Sequence, residues 1–189
     1  MKIAAIIGSN RKESYNRKIT TFIQERFQEK FEMEILKIGN LPLYSEDDEF
    51  NPSSIVKEIK QKITESDGIL ISTPEYNHSI PGILKNALDW ISRVDTVMVK
   101  KPVMIIGSTT GALGTVRAQI HLRQILNSPG ISALILPGNE VYITFVNEKM
   151  NKTGELIDEP TIQILDRTMD NFVEWIEKNK MKKNEVDTN

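Results

Sequence analysis

Short apolar runs alternate, one for one, with stretches that carry apolar residues at helical spacing, and this rhythm repeats five times along the chain. The strand-like runs are Lys2–Ile7, Met33–Ile38, Gly68–Thr73, Pro102–Gly107 and Ile131–Leu136. The first holds five consecutive apolar residues, Ile3 to Ile7, and reads as a strand buried on both faces. The helical stripes are Ile19, Phe22, Ile23 and Phe27 within 16–27, and Ile55, Val56, Ile59 and Ile63 within 53–65. A third helix opens at Pro81, placed at its first position, and carries Leu84, Ala87, Leu88 and Ile91. The last two run over 115–126 and onward from Pro160, where Ile162, Leu165, Met169, Phe172, Val173 and Ile176 keep the helical period. Strict alternation predicts an α/β fold, a five-stranded parallel sheet with helices on both faces in three layers. Each crossover should be right-handed. Two segments stand outside the rhythm. Residues 39–51 carry Leu41, Leu43, Tyr44 and Phe50; residues 138–159 contain an alternating Val141, Ile143, Phe145 piece that reads as a small extra strand. Loops this long inside a compact domain are typically functional or covered by a partner.

A length of 189 residues fits one domain, read here as 1–178, followed by a disordered polar tail over 179–189. With 39% hydrophobic and 26% charged residues the composition is globular. Cysteine is absent, which removes disulfide scaffolds, thiolate nucleophiles and iron–sulfur clusters. Two histidines, His78 and His121, form no metal-binding pair, and no metal is expected. A formal charge of −2 gives no reason to expect nucleic acid as a partner. Five apolar residues are too few for a signal-peptide core or a membrane span, so no membrane partner and a cytoplasmic address are expected.

In open α/β sheets ligands bind beyond the carboxyl ends of the strands. The loops after strands one, three and four are therefore the candidates. The first, Gly8 to Lys18, leads into a helix N-terminus, with free N–H groups and a positive dipole end. Ser9, Ser14 and Asn16 add neutral donors, and Arg11, Arg17 and Lys18 add charge; the matching anion is a phosphate monoester. The loop fits neither the dinucleotide fingerprint nor the NTPase loop. Its competing reading is a plain turn with Ser14 or Asn16 as helix cap. The second loop, Thr73 to Gly82, places Glu75, Tyr76, Asn77, His78 and Ser79 between Pro74 and Pro81, a stiff platform for a flat ligand. Its competing reading is a helix start capped by Ser79. The third, Gly107 to Gly114, holds three glycines and three hydroxyls, suited to close backbone approach with Gly111 or Gly114 at positive φ; a flexible turn would share that composition. His78 is a candidate proton donor, weighed against an exposed loop histidine, the favoured reading; His121 reads as surface. Glu75 is a candidate general base, but no second acid or nucleophile completes a hydrolytic constellation. Trp90 and Trp175 read as core or interface residues, and Glu46 to Glu49 as a solvated acidic loop.

Three stretches together resemble the NADPH-dependent FMN reductase family, a flavodoxin-like group that includes azobenzene, quinone and chromate reductases. They are Gly8-Ser9-x-Arg11-x-x-Ser14-x-Asn16; Pro74-Glu75-Tyr76-Asn77-x-Ser79-x-Pro81-Gly82 running to Asp89-Trp90; and Gly107-x-x-x-Gly111 leading to Arg117-Ala118-Gln119 and Leu122-Arg123-Gln124. The resemblance spans about residues 1 to 178 and implies the strand order 2-1-3-4-5. It implies that Ser9, Arg11, Ser14 and Asn16 hold the phosphate of FMN. It implies that Pro74, Glu75, Tyr76, Asn77 and Ser79 line the flavin ring, largely through backbone groups. Ser108, Thr109 and Gly111 would contact the other side of the flavin or its ribityl chain, although Thr109-Thr110 and Gly114-Thr115 depart from the family's usual third loop. The implied chemistry is hydride passage from NADPH or NADH through FMN to a flavin, quinone, azo or metal-oxyanion acceptor, in ping-pong order, with no catalytic side chain. A homodimer or homotetramer is implied as well. A flavodoxin-type electron carrier and a flavin redox sensor remain the alternatives; the modest charge and the arginine in the first loop weigh against the carrier.

Overall fold

The computed structural model describes residues 1–187, with side chains described as far as Met181. Strands β1 (Lys2–Ile7), β2 (Glu32–Leu36), β3 (Gly68–Ser72), β4 (Pro102–Ser108), β5 (Leu134–Ile135) and β6 (Val141–Ile143) form one sheet. Helices α1 (Tyr15–Arg26), α2 (Ser54–Glu65), α3 (Gly82–Ile91), α4 (Val116–Leu126) and α5 (Glu159–Asp187) connect and cover it. The order is β2-β1-β3-β4-β5, with every pair parallel. This is the flavodoxin-like order that the family resemblance implies.

The fifth position differs from expectation. The run Ile131–Leu136 does not make one long strand. Leu134 and Ile135 pair with the start of β4, at Pro102 and Val103. The chain then breaks at Pro137-Gly138, where Gly138 has φ +67, and returns as β6 against the end of β4, at Ile106–Ser108. Proline has no N–H for the ladder and glycine takes the turn, so two short strands share one edge position. Residues 141–143 thus form the small extra strand that their alternation suggests.

Alternation along the strands divides the core into two layers. Ala4, Ile6, Ile69, Ile71, Val103 and Ile105 pack under Ile59 and Ile63 of α2, Leu84 and Leu88 of α3, and Leu122 of α4. Ile3, Ala5, Leu70, Met104 and Ile106 pack under Ile19 and Ile23 of α1 and Leu165, Met169, Phe172 and Ile176 of α5. Each such buried Ile, Leu or Phe contributes roughly 1.5–3 kcal/mol.

Helix starts fall within a residue of expectation: Pro81 caps α3 instead of opening it, and α5 starts one residue before Pro160. Helix α5 continues past residue 178, and Lys180 pairs with Asp67 at 2.7 Å, so the expected tail begins as helix. Residues 188 and 189 of that tail lie outside the described residues. Among the described residues, no helix is long and apolar enough to cross a membrane.

The loop after β2 is pinned to α3. The Pro42 carbonyl accepts from Asn86 Nδ2 (2.9 Å) and Trp90 Nε1 (2.8 Å), and Tyr44 packs edge-on against Trp90 with ring centroids 5.2 Å apart. Leu43 and Phe50 of the same loop remain 85% and 83% exposed.

Candidate functional site

The carboxyl ends of β1, β3 and β4 lie side by side, so the three candidate loops leave the same edge of the sheet. Ser14 caps α1: its backbone is extended (φ −71, ψ 122) and its hydroxyl accepts from Arg17 N–H at 3.4 Å. The N–H groups of Tyr15 and Asn16 belong to the first turn, where a helix has no carbonyl of its own to offer them. Ser9 is buried, and its hydroxyl accepts from Arg11 N–H at 3.3 Å. The Arg11 guanidinium donates to the Glu13 carbonyl and lies 5.5 Å over the Tyr15 ring. Lys18 pairs with Glu13 at 3.0 Å, and that contact holds the Glu13 carboxyl below its ordinary range. Ser9, Arg11 and Ser14 thus lie on one short segment leading into α1, with Ser9 bonded to Arg11 N–H and Ser14 capping the helix.

Asn16 departs from that group. Its side chain points inward and is buried. Oδ1 accepts from Ser108 N–H (2.9 Å) and Ser72 Oγ (3.1 Å), and Nδ2 donates to the Ser108 carbonyl (3.0 Å). The amide that the sequence offers to a phosphate is engaged in an internal clamp, and the residue's backbone N–H is what faces the helix start.

The second loop folds into a tight hairpin. Tyr76 and Ser79 exchange backbone hydrogen bonds of 2.9 and 3.0 Å. Asn77 (φ 50) and His78 (φ 63) take the two central positions, as a type I′ turn requires. Asn77 tolerates that conformation well, and His78 is carried out to solvent, as expected of it. The exposed Tyr76 ring stands at the base of the turn. Ser79 does not cap α3; its hydroxyl lies 2.8 Å from His121 Nδ1 on α4. Glu75 is not placed as a base. Its Oε2 accepts from the N–H groups of Arg117 (3.0 Å) and Ala118 (3.2 Å), the free donors at the start of α4. Thr115, the N-cap residue of α4, makes no side-chain cap and sits at φ 67, so Glu75 caps that helix from another loop. Of this loop's candidates, Pro74, Tyr76 and Asn77 remain at the edge, while Glu75 and Ser79 tie the loop to α4.

The third loop is held by β6 and the residues just after it. Thr109 donates to the Ile143 carbonyl and accepts from Val146 N–H, both at 3.0 Å, and Gly111 accepts from Phe145 N–H at 3.3 Å. The positive φ falls on Gly114 (+57) and not on Gly111; a Cβ there would come within 2.5 Å of Tyr142. A Cβ at Gly111 would meet only the Thr109 hydroxyl, at 3.8 Å. The Ser108 hydroxyl is buried with no hydrogen-bond partner among the described residues. Sequence reasoning did not anticipate the Glu75 cap, the Asn16 clamp or the Ser79–His121 contact. All three join segments far apart in the chain, and no local pattern marks them.

Fold and loop placement define the class: a flavodoxin-like α/β protein whose ligand edge is the carboxyl edge of its sheet. A family model for the NADPH-dependent FMN reductases matches residues 1–148. The chain is 43% identical to the NADH-dependent flavin reductase subunit 2 of Lactobacillus johnsonii, over 94% of this chain and 98% of that protein. It is 35% identical to the quinone reductase of Escherichia coli K12, over 96% and 98%. Among solved structures, the flavoenzyme NAD(P)H:(acceptor) oxidoreductase of Paracoccus denitrificans superposes with a TM-score of 0.86 at 35% identity, covering 94% of this chain and 98% of that one. The chain belongs to the NADPH-dependent FMN reductase family. It is an oxidoreductase with FMN as cofactor and a reduced nicotinamide nucleotide, NADH or NADPH, as co-substrate.

Proposed function

We propose that this chain is a flavin- or quinone-type reductase in which Ser9, Arg11, Ser14 and the first-turn N–H groups of α1 hold the FMN phosphate. FMN, when bound, supplies hydride acceptance from NAD(P)H and delivery to a second, small electron acceptor, in ping-pong order. The observation that carries this reading is the α1 start: Ser14 caps it, its first-turn N–H groups have no helical acceptor, and the loop leading into it carries Ser9 and Arg11. The backbone of Pro74, Tyr76 and Asn77 lines the ring from one loop, and that of Ser108, Thr109 and Gly111 from the other. The unpartnered Ser108 hydroxyl and the exposed Gly111 suit a polar ligand edge at this point. Backbone donors at the ring edge stabilise charge that develops there on reduction, in the manner of an oxyanion site. No side chain is required as an acid or a base: Glu75 accepts two N–H bonds and His78 is exposed.

The relatives' names support flavins and quinones as acceptors. A homodimer or homotetramer belongs to the same proposal, because Leu43 and Phe50 leave apolar surface for a second copy to cover. Initial rates measured while NADH and benzoquinone are varied together test the order. Parallel double-reciprocal lines are expected. Intersecting lines would contradict the proposal, since they require both substrates to be bound at once.

A further inference from the structure

We infer that Asn16 is a positioning residue that locks the phosphate end of the site to its ring end, and that its side chain is not a phosphate ligand. The inference rests on the FMN placement proposed above, and on a geometric detail of the sheet. Strand β3 stops at Ser72, which lies opposite Ile106 of β4, so β4 continues for two residues with no β3 partner. Thr73 N–H bonds the Ile106 carbonyl, which shows that Ile106 turns its peptide groups toward β3. Ser108, two residues on, turns its peptide groups the same way. The Asn16 amide occupies that place. It accepts from Ser108 N–H at 2.9 Å and donates to Ser108 C=O at 3.0 Å, as the next residue of a neighbouring strand would. Its Oδ1 also accepts from the Ser72 hydroxyl at 3.1 Å.

One side chain, 3% exposed, thus joins the end of the first ligand loop to the points where the second and third begin. Ser72 is the last strand residue before the second loop, Ser108 the last before the third, and Asn16 lies in the first turn of the helix that ends the first loop. Both lone pairs of Oδ1 and one Nδ2 hydrogen are used inside the protein. Removing the amide would strand the Ser108 peptide in a buried setting, so the three loops keep one mutual arrangement. A ligand that bridges them then binds to a surface already assembled, and affinity gained in this way depends on preorganisation and not on a contact to any one ligand group.

FMN and riboflavin share the ring and differ in the phosphate, so they separate the two roles. Native protein, Asn16→Ala and Ser72→Ala are titrated with each flavin. Asn16→Ala is expected to weaken both by the same factor, about tenfold, leaving the FMN-to-riboflavin affinity ratio within about twofold of native. At saturating FMN, the visible absorption band of the ring is expected to change shape in Asn16→Ala, because the third loop moves against it. Ser72→Ala removes one bond into the clamp and keeps the rest; a smaller, equal weakening of about threefold is expected, and this variant carries the test should Asn16→Ala fail to fold. A loss confined to FMN would overturn the inference and return Asn16 to the phosphate. Unchanged affinities for both flavins, even with a lowered melting temperature, would also overturn it. Native protein with no preference for FMN over riboflavin would instead overturn the phosphate placement on which the inference rests.

Discussion

Glu75 lies in the most distinctive loop of the chain, yet its carboxylate serves the start of α4 through the N–H groups of Arg117 and Ala118. A negative charge at a helix N-terminus is favourable in itself, and here it also supplies the cap that Thr115 does not. Glu75→Ala should destabilise the fold by about 1–2 kcal/mol, the usual cost of a lost cap, and Glu75→Gln by less, since an oxygen acceptor remains. Urea titration reads both; a Glu75→Ala variant as stable as the native protein would remove the cap from the account. Arg11 makes a different claim. If it bonds phosphate, Arg11→Ala weakens FMN binding by about 1.5–3 kcal/mol and leaves riboflavin binding unchanged, as calorimetry would show. At this scale the sequence shows which loops carry polar and charged residues, but not the internal partners that those side chains take. The contacts of Ser9, Arg11 and Ser14 stay within their own loop and the first turn of α1, as a local reading can foresee. Asn16 and Glu75 find partners 92 and 42 residues away, and only the folded sheet brings those partners near.

Helix α5 shows how one element is fastened. Asp158, just before it, accepts from Thr161 N–H at 3.1 Å and pairs with Lys149 at 2.9 Å. Farther along, Asp166 makes a two-pronged pair with Arg26 of α1, at 2.6 and 2.7 Å. The Thr161 hydroxyl bond, followed by Lys149, holds the Asp158 carboxyl below its ordinary value of 3.8, and Arg26 does the same for Asp166. A depressed carboxyl means that the unfolded chain binds protons first as pH falls. Its contribution is therefore complete above about pH 5 and is lost as pH drops through the folded value, below the ordinary 3.8. Both pairs are partly solvated, so each is worth at most about 1 kcal/mol. Trp175 sits on α5 with its indole N–H on the Leu134 carbonyl, so its emission reports on the docked helix. Stability followed this way should hold from pH 7 to about 5 and fall below pH 4; a flat profile to pH 2 would contradict the assignment. The helix starts and the first four strands were legible from periodicity to within about two residues, whereas α5 runs on to Asp187, past the expected end at 178. The fifth strand was drawn too long, because its apolar run continues up to Pro137 while the ladder bonds pass to β6 after the Pro137-Gly138 turn.

Over the whole molecule, the fivefold strand–helix rhythm was enough for the layered parallel sheet, because each buried strand and each helical stripe must find the other. The two long segments were not legible in the same way. Residues 39–51 are shaped by Asn86 and Trp90 of α3, and residues 141–146 by the free edge of β4, so their conformations are set by neighbours and not by their own pattern. What these parts build together is an edge that collects three loops around one helix start, and the account stands on that edge holding FMN and passing it electrons from a nicotinamide. Anaerobic stopped-flow mixing of FMN-loaded protein with NADH, and in parallel with NADPH, tests this most directly through flavin absorbance near 450 nm. The account predicts rapid bleaching with at least one of the two nucleotides, followed by recovery of the band when quinone is added. Protein that binds FMN and stays oxidised with both would contradict it.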